Sequence, residues 1–345
     1  MQYRAPRWLA GHGPLAGNAQ TIWPALYSRA HVDHGNVPVA YRRERWDTPD
    51  GDFIDVDFRP AAPTPTQALP QVDAQPSGEG RPLLALFHGL EGSSQSHYAR
   101  AFAHWAHAQG WDYVVPHFRG CSGELNRGPR AYHSGDHAEI NWILRRLALG
   151  HDGPVLAVGV SLGGNALLRW AQEEGADASR VVRAVVAISS PIDLAAAGHA
   201  IGRGFNRQVY TRMFLNTMKP KALAKLKQFP GLFNEAALRA SRDLYEYDNA
   251  FTAPLHGFAS TEDYWAKCSA KPGLRHMRDV PALVLNARND PFVPASCLPT
   301  KGEVGPAVTL WQPHEGGHVG FPAGRFPGHV ADLPQAVGQW LSQQL

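Results

Sequence analysis

The stretch Pro154-Val-Leu-Ala-Val-Gly-Val-Ser-Leu-Gly-Gly-Asn-Ala-Leu-Leu-Arg-Trp170 confines this chain to a small set of folds. Val155, Leu156, Val158 and Val160 form a short, largely β-branched apolar run, the pattern of a strand buried on both faces of a parallel sheet. Ala166, Leu167 and Trp170 then recur at helical spacing. Ser161 falls on the turn between strand and helix, flanked by Gly159 and Gly163 in the only G-x-S-x-G of the sequence. Small residues on both sides let such a turn close tightly, so that the serine hydroxyl stands clear of the sheet. The reading is a nucleophile elbow with Ser161 as nucleophile.

The rest of the chain agrees with an α/β fold. From Leu83 onward strands and helices alternate, the signature of a mostly parallel sheet flanked by helices. Strands are expected at 83–87, 113–116, 155–160, 181–189, 281–286 and 307–311, and helices at 98–109, 140–147 and 333–341. Thr48-Pro-Asp-Gly51 predicts the turn of a hairpin running from Val39 to Phe58. Two segments stand apart from the alternation. Residues 1–36 have no clear period and read as an irregular arm laid over the core; residues 191–274 are helical in pattern and read as a lid inserted into the sheet. A Pro, Gln and Ala-rich stretch from Ala61 to Gly80 carries little apolar bulk and reads as a mobile surface loop. The expected organisation is therefore one domain over residues 1–345.

Composition excludes several classes. A net charge of +3 spread over 345 residues gives no reason to expect nucleic acid as a partner. No run approaches the roughly 18 apolar residues of a membrane span, and the N-terminus lacks the apolar core of a secretion signal. Cys121, Cys268 and Cys297 are odd in number and widely spaced, which argues against a disulfide framework or a cysteine zinc site. A cytoplasmic location is the expectation. Nothing in the pattern specifies an oligomeric state.

A serine hydroxyl is a weak nucleophile at neutral pH, so it needs a base within hydrogen-bond reach and an acid that orients the base. Asp290 follows the strand ending at Asn286, and His318 follows the last strand. In open α/β sheets the ligand crevice lies at the carboxyl ends of the strands, so Ser161, Asp290 and His318 can converge there. Asp193, after the preceding strand, is a competing acid. The backbone N–H groups of Leu162 and of Leu90, in His88-Gly89-Leu90, are the expected oxyanion donors.

His314-Glu-Gly-Gly-His318 matches the H-E-x-x-H zinc signature, which works only on a helix. Pro313 before it and two central glycines make a loop the expectation instead. A zinc site is therefore not expected. Between His199 and Pro230 seven Lys or Arg residues and no Asp or Glu accompany many apolar residues. The apolar ones, with Phe205, Met213 and Phe214 foremost, are expected to line a pocket for a hydrophobic acyl group, and the lysines to face water. A peripheral contact of this face with lipid is the alternative.

With those residues identified, the chain resembles the YheT-like group of α/β-hydrolases, relatives of the abhydrolase-domain lipid esterases. The resemblance spans nearly the whole chain. It rests on Gly17-Asn-Ala-Gln-Thr-Ile-Trp-Pro24, His88-Gly-Leu-Glu-Gly-Ser93, Phe118-Arg-Gly-Cys-Ser-Gly123, Ala131-Tyr-His-Ser-Gly-Asp136, the elbow, Thr252-Ala-Pro-Leu-His-Gly-Phe258, Asn289-Asp-Pro-Phe292 and Gly316-Gly-His-Val-Gly-Phe321. The resemblance implies Ser161, Asp290 and His318 as nucleophile, acid and base, and hydrolysis of a small-molecule carboxylic ester or lipid without cofactor. Thioester hydrolysis or acyl transfer by the same residues, a binding module that has lost activity, and the zinc peptidase are the competing expectations. The departures from the group are the long loop 61–80 and the order His314-Glu315 before the glycines.

Overall fold

The computed structural model describes residues 3–11, 14–30, 39–61 and 80–345. The expected loop at 61–80 therefore lies almost wholly outside the described residues. The framework is a single eight-stranded sheet in the order β1-β2-β4-β3-β5-β6-β7-β8. Its strands are β1 (Arg42–Asp47), β2 (Phe53–Arg59), β3 (Leu83–Phe87), β4 (Asp112–Pro116), β5 (Val155–Val160), β6 (Ala184–Ile188), β7 (Ala282–Leu285) and β8 (Val308–Trp311). The β1–β2 hairpin pairs antiparallel and joins β4 antiparallel, while the remaining strand pairs are parallel. Its turn closes as the sequence predicts, with Gly51 N–H donating to Thr48 O at 2.9 Å.

Why β5 lies at the centre follows from its side chains. Val155 and Ala157 point to one face, against α3 (His137–Leu149) and α4 (Leu162–Glu174), where Ile140, Ile143, Leu144, Leu168 and Trp170 pack. Leu156, Val158 and Val160 point to the other, against α2 (His97–Ala108) and the C-terminal helix Asp332–Ser342, through Phe102, Trp105, Val337 and Leu341. A period of two along the strand thus feeds two cores. Val181, expected at the head of β6, instead completes the helical turn Ala178–Val181, and the strand begins at Ala184.

One departure from the sequence reading matters for function. The arm carries a regular element, α1 (Pro14–Leu26). Its length was hidden because the helix packs against loops rather than along the sheet, and its sequence lacks an amphipathic repeat. Between β6 and β7 the chain folds into α5 (Leu194–Ile201), a π-helical turn (Arg207–Thr211), α6 (Arg212–Gln228), α7 (Glu235–Ala240), α8 (Leu244–Tyr247), a second π turn (Asp248–Thr252) and α9 (Thr261–Cys268). These helices build a small core of their own from Leu215, Phe233, Leu238, Tyr247 and Phe251. Among the described residues no helix is long and apolar enough to cross a membrane.

Candidate active site

Ser161 sits where β5 turns into α4, with φ 53° and ψ −119°. A non-glycine residue in that region is strained by on the order of 1–3 kcal/mol, which the surroundings must hold in place. They do so by backbone contact. A Cβ on Gly163 would lie 2.5 Å from the carbonyl oxygens of Phe87 and His88, and one on Gly159 would lie 2.5 Å from Gly163 O. Any side chain at either position would open the elbow.

The three polar side chains at the ends of β5, β7 and β8 form a chain of hydrogen bonds. His318 Nε2 lies 3.0 Å from Ser161 Oγ, and His318 Nδ1 lies 2.9 Å from Asp290 Oδ2. Asp290 has a fully buried side chain, and its Oδ1 accepts the N–H groups of Phe292 at 2.7 Å and Val293 at 3.2 Å. With both oxygens engaged, the carboxylate is fixed in the orientation that makes Nδ1 the protonated nitrogen and leaves Nε2 facing the serine. Phe292 packs its ring 4.1 Å from the imidazole, centroid to centroid. Asp193, the rival acid, is otherwise employed: it caps α5 by accepting Ala196 N–H at 3.0 Å.

The His88–Gly92 loop faces the serine. A Cβ on Gly89 would lie 3.3 Å from Ser161 Cβ. The amides flanking Leu90 are taken, Gly89 N–H by the Tyr98 hydroxyl at 2.9 Å and Glu91 N–H by the Tyr132 hydroxyl at 3.0 Å. Among the described residues, the N–H of Leu90 has no protein acceptor, nor has that of Leu162 at the start of α4. His88 ties the loop down from below: Nδ1 lies 2.8 Å from Gly89 O, and Nε2 accepts Phe118 N–H at 3.1 Å. Complete burial lowers the His88 pKa to about 3, so the ring is neutral and can do both.

A cavity of about 160 Å³ opens from Ser161, His318 and Leu90 under the helices of residues 194–265. Its apolar wall includes Leu194, Ile201, Phe214, Met218, Phe251 and Phe292. The expected pocket residues separate here. Phe214 lines the cavity, whereas Phe205 and Met213 are 54% and 52% exposed on the outside, a correction to the sequence reading. Neighbouring helical residues point about 100° apart, so Phe214 facing inward turns Met213 away. Phe214, Met218, Lys221, Ala222 and Lys225 form the inward stripe of α6, spaced i, i+4, i+7, i+8 and i+11.

Lys227 faces water as expected, but the other three lysines of this helix correct the expectation. Lys225 is buried, its ammonium donating to Asn126 O, to Gly128 O at 2.6 Å and to Gln228 Oε1 at 3.3 Å. Lys219 donates to the carbonyls of Arg239, at 2.9 Å, and Ser241. Lys221 pairs with Glu91 of the His88–Gly92 loop at 2.8 Å. Their charges serve to fasten loops, not to coat a water-facing surface.

His314-Glu-Gly-Gly-His318 is a loop, so its two histidines share no helical face. Glu315 is committed to the arm, accepting Ala5 N–H at 3.2 Å and Gly11 N–H at 2.9 Å. Among the described residues no group of three His, Cys, Asp or Glu could hold a metal ion. Sequence reasoning missed the residues that support the site, namely His88, Tyr98, Tyr132, Gln20 and Thr21. Each acts through one or two polar atoms that no hydrophobic period announces.

Residues 82–324 match the alpha/beta hydrolase fold family. Over 330 residues the chain is 38% identical to the Escherichia coli protein named "Putative esterase YheT", covering 94% of this chain and 90% of that one. It is 27% identical over 345 residues to mouse Phospholipase ABHD3, covering 97% and 81% respectively. Among solved structures, mouse alpha/beta hydrolase domain-containing protein 10 is similar in fold, with a TM-score of 0.52 at 14% identity over 88% of this chain and 100% of that one.

Proposed function

Since the chain belongs to the α/β-hydrolase family, among the relatives of YheT, and is an esterase- or lipase-like hydrolase, we propose that it cleaves carboxylic esters through an acyl-enzyme on Ser161. The observation that carries this reading is the hydrogen-bonded series Ser161 Oγ, His318 Nε2 and Nδ1, Asp290 Oδ2. A phospholipase and a yeast monoacylglycerol lipase stand among the relatives. Together with the apolar cavity wall, they favour an ester whose acyl part is hydrophobic.

In the proposed mechanism Ser161 Oγ attacks the ester carbonyl carbon while its proton passes to His318 Nε2. The carbonyl oxygen, now an anion, is held by the N–H groups of Leu90 and Leu162; losing one such donor typically costs roughly a hundred- to a thousandfold in rate. The bond to the leaving alcohol breaks as the imidazolium returns that proton to its oxygen. Water, deprotonated by the same nitrogen, then attacks the acyl carbon; the bond from that carbon to Ser161 Oγ breaks, Oγ takes the proton back from the imidazolium, and the carboxylic acid leaves. Asp290 keeps the imidazole in one tautomer and stabilises the imidazolium. Residues 191–274 serve as the lid that covers the acyl pocket, with Phe214 and Met218 on its inner face.

The test is intact-mass labelling with a fluorophosphonate, alongside hydrolysis of p-nitrophenyl esters over a range of chain lengths. Stoichiometric labelling that disappears in Ser161→Ala, together with ester turnover, is the expected result. Well-folded wild type that neither labels nor turns over any ester overturns the proposal.

A further inference from the structure

The N-terminal arm lies outside the stretch matched by the hydrolase family, yet its helix touches both loops on which the acid and the base are carried. Gln20 is fully buried, and its side chain is used at both ends. Gln20 Oε1 accepts Gly316 N–H and Asn289 Nδ2–H, both at 2.8 Å, and its Nε2 donates to Leu9 O at 2.9 Å. Asn289 Oδ1 in turn accepts Gly317 N–H at 3.0 Å. One glutamine thus joins the loop that ends in Asp290 to the loop that ends in His318. Thr21, the next residue, accepts the backbone N–H of His318 itself at 2.8 Å and donates to Gly17 O at 2.7 Å.

The contact is close enough to fix relative position. A Cβ on Gly17 would lie 1.9 Å from Asn289 O, and one on Gly320 would lie 1.8 Å from Gln20 O, so arm and loops meet backbone to backbone. Glu315 anchors the arm in return by accepting Ala5 and Gly11 N–H groups. There is also a reason why His318 needs outside support. It stands between Gly317 at φ 61° and Val319 at φ 59°, and a β-branched residue in the left-handed region does not hold that conformation unaided. Thr21 binds the loop just before that point and Ser189 Oγ just after it, accepting Val319 N–H at 3.0 Å.

We propose that Gln20 and Thr21 are positioning residues of the catalytic centre, setting the spacing between the Asp290 and His318 loops on which both hydrogen bonds of the relay depend. This rests on the reading of His318 as base and Asp290 as its partner. The arm is then a working part of the site and not a covering.

Thr21→Val keeps the shape and removes the acceptor for His318 N–H; Thr21→Ser keeps the hydroxyl. The two are compared with wild type by kcat and KM on p-nitrophenyl acetate, fluorophosphonate labelling rate, and thermal midpoint. Gln20→Glu, which retains an acceptor for Gly316, is a second probe should Gln20→Leu fail to fold. A positioning role predicts that Thr21→Val lowers kcat and labelling rate together by on the order of tenfold to a hundredfold, with KM unchanged and Thr21→Ser close to wild type. Folded Thr21→Val with wild-type kcat and labelling overturns the inference. So does a loss that Thr21→Ser shares in full. Wild type that fails to label overturns the hydrolase reading itself, and this inference with it, whereas labelled wild type beside an indifferent Thr21→Val overturns the inference alone.

Discussion

Two clusters of serine, histidine and aspartate among the described residues are wired differently. In the first, Ser161, His318 and Asp290 bond in series, with the imidazole in the middle at 3.0 and 2.9 Å. In the second, Asp57 is in the middle: its Oδ2 accepts Ser94 Oγ–H at 2.6 Å and meets His117 Nε2 at 2.9 Å, while Arg43 holds the same carboxylate from β1 at 2.7 and 2.8 Å. Both clusters are assembled at ends or edges of one sheet, and they are near neighbours, since the His117 ring lies 5.8 Å from that of His88 beneath the Gly89–Leu90 turn. Only in the first does an imidazole nitrogen face the serine hydroxyl. Ser94 donates to a carboxylate whose pKa is held well below the ordinary range, too weak a base to activate it, and it is fully buried where no ester can reach. Residue types do not make a nucleophile; their order along the hydrogen bonds does.

The largest expected contrast is between the serines. Ser161→Ala abolishes fluorophosphonate labelling and lowers kcat by roughly a millionfold, the scale known for loss of a triad nucleophile. Measurable ester turnover in Ser161→Ala, matched by its loss in a folded Ser94 variant, would invert the comparison. One step smaller is Asp290→Asn, which leaves the shape of the site but lets the imidazole adopt the wrong tautomer, at a cost of roughly ten-thousandfold in kcat. Its thermal midpoint stays near that of wild type, because Asn Oδ1 can still accept the Phe292 and Val293 amides. Kinetics and calorimetry on the same preparation check both halves.

The series cluster was legible from sequence and the parallel one was not. Ser161 stands in a strand–turn–helix context that few other functions explain, and Asp290 and His318 follow strands that an apolar run marks at 281–286 and 307–311. The sheet was legible for the same reason, since β-branched runs buried on both faces have few alternatives. Asp57 lies in β2 and Ser94 and His117 lie in loops, each an ordinary polar residue whose partner is set by strand pairing, β2 against β4. The inserted helices were legible as helices but not by facing: of α6 only the stripe from Phe214 to Lys225 meets the cavity, and burial of Lys225 runs against any reading from charge. The arm was least legible, because Gln20 and Thr21 work through hydrogen bonds to loops some 300 residues away in sequence.

Asp57→Asn should leave kcat largely intact and reduce stability instead. Burial works to raise the Asp57 pKa, but hydrogen bonds from Arg43, His117 and Ser94 outweigh it and hold the carboxyl well below its ordinary range. Breaking such a buried, partnered group costs about 3 kcal/mol. The sign with pH follows. A carboxyl whose folded pKa is depressed contributes stability in full above its unfolded value of about 4, and loses it as pH falls from there through the depressed folded value. His88 acts in a higher window: burial lowers its pKa to about 3, so its contribution is complete above the unfolded value of about 6.5 and drains as pH falls below that. Denaturant unfolding of wild type and Asp57→Asn across pH 7 to 3 separates the two. The gap between the curves stays constant down to about pH 4 and narrows below it, while the His88 slope persists in both. A gap that closes already between pH 6.5 and 5 would overturn the assignment of this pH dependence to Asp57.

The smallest effect tests whether the second cluster feeds the first at all. Ser94→Ala removes one of the donors to Asp57 while Arg43 and His117 remain, so the carboxylate stays charged and paired. Loss of a single hydrogen bond to a charged acceptor costs about 1.5–3 kcal/mol, toward the lower end where other donors persist. Ser94 also presents its backbone carbonyl to the Tyr41 hydroxyl at 3.2 Å, a contact that alanine keeps. The turn at Gly89–Leu90 therefore has no cause to move, and kcat/KM for a p-nitrophenyl ester is expected to equal that of wild type. If kcat instead falls while the thermal midpoint holds, the Asp57 cluster is setting the oxyanion loop through His117 and His88, and the two clusters are one device.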